Sequence, residues 1–421
     1  MQKMVKFEYL QNYLGEQREN IISWYKAKLE ILKENNIYLP IFSSFDLRDS
    51  GYKSSIVDSN VFPSGFNNLD LNSRKLASEN FLDYLHSFTP KKNILIVPEN
   101  HTRNPYYFNN INTLTQILKA SGFKISLGYI EGENGENDSR TKFVLDNNGN
   151  SLKIEKIFRK DHKIFTESFN DGLIILNNDL SVKKPEILDN LGQPIMPPIT
   201  LGWYNRKKSE HFFHFNKLIG ELASLTSIEP WFLRTIFTHI DNIDFKDKNS
   251  LYNVAEAVNS IIHKITQKYE EYNISEEPFV FVKNNSGTYG LGIISVSSGK
   301  EIINLNSKNR KKMIYGKQRT KIKSVLIQEG IYTKNFVNNH PAEPVLYNVG
   351  GSVVGGFMRI NPLKDKNKNL NTRGMVFKNL VENELTKPII IKNGKFSLYS
   401  LLTMVADLAI AFEHKQKILG K

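Results

Sequence analysis

The chain has 421 residues, a formal net charge of +13, 40% apolar and 11% aromatic residues, and no cysteine. That length exceeds one small core and implies two or three domains around a shared cleft, and the composition is that of a globular chain. With no cysteine there are no disulfides, thiolate metal sites or cysteine nucleophiles, so any chemistry falls to lysine, arginine, carboxylates and bound metal.

From the N-terminus, Ile21, Ile22, Tyr25, Leu29 and Leu32 form a helical stripe that ends before Pro40. The stretch Ile41 to Arg48 reads as a strand with Asp46 and Arg48 at its end, and Val57 to Leu69, with Asp58 and Asn60, reads as an Asx-rich loop. Asn93 to Pro98 is a short apolar run with the look of a buried parallel strand. A helix marked by Ile111, Leu114, Ile117 and Leu118 follows, and then a strand from Phe123 to Ile130, which completes a β-α-β unit. In such units the loop after the first strand contacts ligands, and His101 and Arg103 lie in it. His101 reads either as an acid or base, or as hydrogen-bonded structure. Asp146 to Gly149 is a hairpin turn, Leu173 to Ile175 begins another buried strand, and Pro194, Pro197 and Pro198 mark the main domain boundary.

In the second half a helix is expected to open at Phe215, with Leu218, Leu222 and Leu225 on its buried face. His211 and His214 lack a third ligand, which argues against a histidine metal site. Val254, Val258, Ile261, Ile262 and Ile265 mark a further helix. After it, Phe279 to Val282 delivers Lys283 to a strand end, followed by the polar loop Ser286, Gly287, Tyr289, Gly290 and Gly292. Glycines let backbone N–H groups approach an anion, and the lysine adds a point charge, so this stretch reads as a phosphate cover or as an ordinary hairpin loop. It is not a Walker A sequence, because the lysine precedes the glycines. Ser324 to Glu329 is a strand ending in Gln328 and Glu329. Pro344 to Val349 and Ser352 to Arg359 form a hairpin about Gly350 and Gly351, which brings Glu343 and Arg359 to one end. Asn369, Asn371 and Arg373 follow as polar groups able to complete a metal or phosphate site, and a helix from Leu398 to Phe412 closes the chain.

Taken together, the Asn216-Lys217 helix, the Lys283 strand and glycine loop, the Gln328-Glu329 strand end and the acid-arginine hairpin resemble the ATP-grasp fold. More narrowly, the Asp58 to Leu69 loop, Pro98 to Pro105, Leu176 to Ser181, Pro197-Pro198, Pro230-Trp231, the Lys283 loop and Gln328 to Gly330 are similar to the proteobacterial ATP-grasp glutamate-cysteine ligases. The resemblance implies an α/β chain, α+β in its C-terminal part, with an ATP-grasp fold preceded by a Rossmann-like pre-ATP-grasp domain. The expected divisions are 1–90 for an N-terminal helical and substrate-loop region, 91–205 for the α/β domain and 206–421 for the ATP-grasp domain. It further implies formation of γ-glutamylcysteine from L-glutamate and L-cysteine, with ATP and Mg²⁺, as the first step of glutathione synthesis.

By position in the resemblance, Lys217 and Lys283 contact phosphates, Ser286 to Gly292 cover them, and Gln328 and Glu329 meet purine and ribose. Arg359 steadies the transferring phosphoryl group with Lys283 beside it. Glu343, Asn369 and Asn371 are the metal candidates, because no clear Glu-x-Asn pair is present. Asp46, Arg48, Asp58, Asn60, His101 and Arg103 are the expected substrate contacts from their polar clustering at strand ends. Two other readings stay open: an ATP-grasp ligase of another carboxylate and amine, and a basic nucleic-acid-binding protein. The excess lysine is scattered, as in Lys364-Asp365-Lys366-Asn367-Lys368, and no recognition motif accompanies it, so nucleic acid is not expected as a partner. No membrane partner is expected either. No apolar run has the length of a membrane span and Met1 to Tyr13 is polar, from which a cytoplasmic protein is expected.

Overall fold

The computed structural model describes residues 6–88, 92–99, 106–131, 140–287, 292–316, 321–380 and 397–420. Helices α1 (Leu10–Glu16) and α2 (Arg18–Lys33) open the fold, and Ile21, Tyr25 and Leu32 form the buried face of α2. The hairpin β1 (Phe42–Asp49) and β2 (Ser54–Asn60) comes next, then α3 (Leu71–Leu85), whose first turn is capped by the Asp70 carboxylate accepting the Ser73 N–H. The middle of the chain supplies β3 (Asn93–Pro98), α4 (Tyr107–Ala120), β4 (Lys124–Tyr129), β5 (Thr141–Leu145), β6 (Ser151–Lys156), β7 (Phe158–Lys160), β8 (Lys163–Phe165), β9 (Leu173–Asn177) and β10 (Ile195–Met196). After them run α5 (Lys208–Thr226), β11 (Phe237–Asp241), α6 (Lys248–Glu271), β12 (Val280–Asn284), β13 (Ile293–Val296), α7 (Gly299–Ile303), α8 (Ser307–Ile314) and β14 (Ser324–Glu329). The chain ends through β15 (Phe336–Val337), β16 (His340–Val349), β17 (Ser352–Ile360), β18 (Val376–Asn379) and α9 (Leu398–Leu419).

Three sheets organise this mixed α/β fold. The first has the order β18-β17-β16-β1-β2, with β15 on β16, and every pair is antiparallel. The second, β10-β9-β3-β4-β6-β5, is parallel except for its edge strand β5, and β3-α4-β4 is the expected β-α-β unit. The third, β11-β14-β12-β13, is antiparallel. The first sheet pairs β1 with β16 and so joins the two ends of the chain: the stretch 1–90 shares a sheet with the C-terminal hairpin. Among the described residues no helix is long and apolar enough to cross a membrane.

Two sequence expectations differ from this fold. Residues 57–60, the start of the stretch Val57 to Leu69 that reads as a loop, belong to β2. Both faces of β2 are covered, and Ser54, Ser55 and Ser59 are buried, so no apolar alternation marks the strand. Helix α5 begins at Lys208 rather than Phe215, because its buried stripe already includes Lys208, His211 and Phe212.

Side-chain alternation splits the first sheet into two chemical faces. Ser43, Phe45 and Leu47 of β1 share one face with Leu346 and Asn348 of β16, since opposed residues in an antiparallel ladder lie on the same side. Helix α9 packs against β1 and β2 and is buried around nearly its whole circumference, so it must be apolar nearly all round. Asp407 and Glu413 are its buried charged residues, and Asp407 faces the first sheet. It accepts hydrogen bonds at 2.6 Å from Ser43 Oγ and at 2.6 Å from Asn348 Nδ2, the two residues that oppose each other in the β1/β16 ladder. One carboxylate thus grips one rung of the sheet from behind.

Burial pushes the Asp407 carboxyl up to about 7, against an ordinary value of 3.8. The folded state therefore holds this proton more tightly than the unfolded state, and stability is lost as pH rises from about 4 to about 7. Asp407→Asn, which keeps one acceptor and one donor for Asn348 and Ser43, is expected to raise stability above pH 7 by at most about 4 kcal/mol and to gain little near pH 4. Denaturant melts of both proteins at the two pH values measure this.

Candidate active site

The other face of the first sheet is lined with charge. Asp46 and Arg48 alternate on β1, Asp58 of β2 opposes Asp46, and Glu343 of β16 opposes Arg359 of β17. Arg48 Nε donates to Glu343 Oε2 at 2.5 Å. Arg359 Nη1 donates to Glu343 Oε1 at 2.8 Å and to Asp46 Oδ2 at 2.6 Å, and its Nη2 reaches Asp46 Oδ1 at 3.2 Å. The order Arg48, Glu343, Arg359, Asp46 is an alternating chain of charges, three of them buried and Asp46 partly so. Burial raises the Glu343 carboxyl, but the two guanidiniums outweigh it and hold Glu343 below the ordinary value. For Asp46 burial is the larger effect, with the Glu343 charge adding to it, and its pKa is raised in spite of Arg359.

The third sheet brings a lysine to this face. Lys283, at the end of β12, is buried and donates to Val57 O at 2.8 Å and to Gln328 Oε1 at 2.7 Å. The Val57 carbonyl is available because β2 bulges there. Asp58 pairs with Asp46 and Ile56 with Leu47, which leaves Val57 without a ladder partner. Lys208, in the first turn of α5, donates to Asp58 Oδ1 and lies 4.7 Å from the centroid of the Trp203 ring. Asn285 fixes the two lysines relative to each other. Its carbonyl accepts the Lys208 N–H at 2.8 Å, its side-chain oxygen accepts the Ser209 N–H at 2.9 Å, and its Nδ2 donates to Ser209 Oγ and Ser324 Oγ.

Burial pushes the Lys283 ammonium down to about 8, with Asp58 opposing and Lys208 reinforcing that shift. Burial raises Asp58, yet Lys208 and Lys283 outweigh it, and Asp58 stays below its ordinary value. The cluster sets three carboxylates (Asp46, Asp58, Glu343) against four cations (Arg48, Arg359, Lys208, Lys283). Lys283 is the surplus cation. Its two partners are neutral oxygens, and its third N–H has no partner among the described residues. Such a site is short of one anion.

Of the residues singled out in the sequence, this arrangement joins Asp46, Arg48, Asp58, Lys283, Gln328, Glu343 and Arg359. Asn60 sits further along β2, opposite Ser44, where its side-chain oxygen accepts the Phe62 N–H at 2.9 Å. Ser286 and Gly287 fold back on Asn284, which exchanges hydrogen bonds with the Ser286 backbone. A Cβ at Gly287 would lie 2.7 Å from the Asn284 Nδ2, and Gly292 has φ +64°, so both positions favour glycine. Tyr289, Gly290, His101 and Arg103 lie outside the described residues.

Three expectations are revised. Lys217 is exposed on the solvent side of α5, and Lys208 is the lysine of that helix that enters the cluster. Glu329 is not open to a ribose: its Oε1 takes the buried Lys53 ammonium at 2.7 Å and the Trp231 indole N–H at 3.0 Å, and its Oε2 takes the Ile236 N–H. Gln328 likewise uses both ends of its amide, toward Lys283 and Thr235 Oγ1. The metal candidates do not fit a cation. Both Glu343 oxygens carry a guanidinium, Asn369 Oδ1 accepts the Asn371 N–H at 3.0 Å, and the Asn371 side chain has no partner in the cluster. Among the described residues no group of three or more histidines and carboxylates is arranged to hold a metal ion. His211 is buried beside the Phe212 and Phe215 rings with its pKa pushed well down by burial, and His214 bonds Gln416.

Lys208, Trp203 and Asn285 were missed. Extending the helical stripe back from Phe215 through Phe212 and His211 reaches Lys208, so the signal for it was present. The roles of Trp203 and Asn285 depend on contacts between distant segments, which no local pattern carries.

A profile of the GshA glutamate-cysteine ligase family matches residues 11–414. The chain belongs to this family. Among solved structures, a protein named as a gamma-glutamylcysteine synthetase from Methylobacillus flagellatus KT is 32% identical over 98% of this chain and 99% of that chain, with a TM-score of 0.85. A glutathione synthetase-like effector from Globodera pallida is 12% identical over 88% of this chain and 86% of its own, at a TM-score of 0.41. D-alanyl-alanine synthetase A from Vibrio cholerae is 14% identical over 65% and 68%, at 0.30. No curated protein matches the chain significantly in sequence.

The fate of Glu329 gives a stability test. Glu329→Gln leaves the Lys53 ammonium buried without a counter-charge, and a loss of about 3 kcal/mol or more is expected in urea unfolding. Adding Lys53→Met should recover most of that loss. Equal and additive losses would show that the pair is not coupled.

Proposed function

We propose that the chain joins the γ-carboxylate of L-glutamate to the amine of L-cysteine while ATP becomes ADP and phosphate, the first step of glutathione synthesis. The observation that carries this reading is the surplus cation: Lys283 is buried, has only neutral partners, and begins the glycine loop beside the paired charges of the first sheet. A phosphate oxygen is the kind of partner that this lysine lacks. Family membership over residues 11–414 supports the choice of substrates.

In this reading the third sheet, with β14 and the Lys283 loop, and the first sheet form the two halves of an ATP-grasp cleft built on residues 206–421, with β1 and β2 of the N-terminal stretch completing the first sheet. The parallel sheet is then a Rossmann-like domain over 91–205, with a substrate region in 1–90. The setting is cytoplasmic. Lys283 and Lys208 take the phosphates, the loop from Ser286 to Gly292 covers them, and Arg359 steadies the transferring group. Asp46, Arg48, Asp58 and Asn60 receive the amino acids.

The chemistry follows from the charges. A γ-carboxylate oxygen attacks the terminal phosphorus, ADP leaves, and the cysteine nitrogen then attacks the acyl carbon and expels phosphate. Carboxylate and triphosphate are both anions, so their approach requires fixed positive charge in a site closed to water. Lys283 and Arg359 supply it without reorganisation, because the bulge carbonyl and the Glu343 and Asp46 carboxylates already hold them. The attacking amine must shed a proton, and Asp46, the carboxylate of the cluster with the raised pKa, is the acceptor suited to hold it. Mg²⁺ bound to ATP neutralises phosphate charge, and no step here is assigned to a metal held by the chain.

Phosphate release from ATP should need glutamate and cysteine together, with γ-glutamylcysteine identified in the product by mass. Release that ignores both amino acids would overturn the substrate assignment. Lys208→Ala and Lys283→Ala are each expected to lower kcat/KM by about 100-fold or more, whereas Lys217→Ala should stay within about twofold of the native chain. A severe Lys217→Ala defect with an unaffected Lys208→Ala would reverse that assignment.

A further inference from the structure

We infer that Glu343 is the shared counter-ion of two arginines rather than a metal ligand, and that the β16/β17 end of the site receives an anionic oxygen, not a cation. The inference deepens the ligase reading and rests on it for the identity of that anion, which would be the transferring phosphoryl group or the carboxylate it joins.

Two sets of observations carry it. The first is that both Glu343 oxygens are engaged by guanidiniums. Oε2 lies 2.5 Å from Arg48 Nε, and Oε1 lies 2.8 Å from Arg359 Nη1. A divalent ion bound at either oxygen would sit close to two guanidiniums. Repulsion from each guanidinium opposes such an ion, and it doubles for a divalent charge. The neighbouring oxygens are also occupied. Asn361 Oδ1 accepts the Leu363 N–H while its Nδ2 donates to Leu370 O and Thr372, and Asn369 Oδ1 accepts the Asn371 N–H.

The second is the sign of the atoms left over. Arg359 Nε and Asn369 Nδ2 are both buried and without a partner among the described residues, and both are donors. Arg359 as a whole is 7% exposed, so its free N–H cannot be satisfied by bulk water. Orphaned donors call for an acceptor oxygen, whereas a metal site leaves lone pairs free. What Glu343 does instead is orient. With Nε held by Glu343, the Arg48 guanidinium turns Nη1 to Lys366 O at 3.1 Å and Nη2 to Lys368 O at 2.8 Å, which fixes the loop that carries Asn369. Glu343 is therefore a positioning residue for both arginines.

The test uses the nucleotide-free chain and Mn²⁺ as the probe, read by electron paramagnetic resonance. Native and Glu343→Gln proteins are expected to bind Mn²⁺ alike, either not at all or at a site that the variant keeps. A stoichiometric Mn²⁺ site that Glu343→Gln abolishes would overturn the inference. Because Glu343→Gln leaves an uncompensated buried arginine and risks misfolding, Glu343→Gln with Arg48→Met, which restores the charge balance, serves for the same comparison. The double variant is expected to melt higher than Glu343→Gln alone, as removal of both halves of a pair predicts. A double variant that melts no higher than the single one would contradict the counter-ion role. Mn²⁺ binding and melting need no turnover, so their result stands apart from the choice of substrates.

Discussion

The alternating charges on one face of the first sheet constrain everything around them. An isolated ion taken out of water costs several kcal/mol even after relaxation, so a buried charged cluster persists only if neighbouring charges cancel and the remaining hydrogen bonds are met. Arg48, Glu343, Arg359 and Asp46 meet the first condition as a chain in which three links are direct hydrogen bonds, and the second is met except at Arg359 Nε, which has no partner among the described residues. The chain spans three strands, and its members come from opposite ends of the polypeptide. Any slip in register by one residue would turn every one of these side chains to the other face and set charge against the apolar stripe of α9. The carboxylate of Asp407, bonded to the opposed pair Ser43 and Asn348, holds that register from the apolar side. Fold and site are thus two aspects of one pairing between β1 and β16.

Much of the site was legible because its residues are polar at the ends of apolar strands. Asp46, Arg48, Glu343 and Arg359 stand out in that way, and the hairpin about Gly350 and Gly351 already predicts that Glu343 meets Arg359. Lys283 was legible from the apolar run before it and the glycines after it. The pairing of β1 with β16 was not, because it joins segments at opposite ends of the chain and leaves no local periodicity. The polar strand β2 was hidden for a related reason: its serines and Asp58 are buried through distant partners such as Arg206, Lys208 and the Leu233 carbonyl.

Glu329 and Lys217 show a second limit. A carboxylate at a strand end reads as ligand-facing, yet Glu329 lies under Lys53 and Trp231, both from other parts of the chain. Lys217 reads as a helix lysine near an apolar stripe, but the phase of Phe215, Leu218 and Leu222 leaves it in solvent. Starting the helix at Lys208 brings that lysine, on the opposite side of the helix from Lys217, to Asp58. A shift of seven residues in one boundary thus exchanged one phosphate candidate for another.

The two halves of the site meet through few direct bonds, and these bear on how the site works. Lys283 of the third sheet reaches the Val57 carbonyl of the first, and Lys53 of the first reaches Glu329 of the third. The two are not equivalent. The second is a buried ion pair whose carboxylate also takes the Trp231 and Ile236 N–H groups and whose ammonium lies over the Trp231 ring, and it acts as a fixed pin. The first is a lysine on neutral carbonyl oxygens, with its third N–H unpartnered among the described residues and no carboxylate bonded to it. An anion arriving in the cleft therefore gains most at Lys283 and disturbs least at Glu329. The same asymmetry appears within the first sheet, where both Glu343 oxygens hold guanidiniums while Arg359 Nε has no partner among the described residues. Donors left open on both sides of the cleft, with the carboxylates behind them already engaged, make a site preorganised for negative charge.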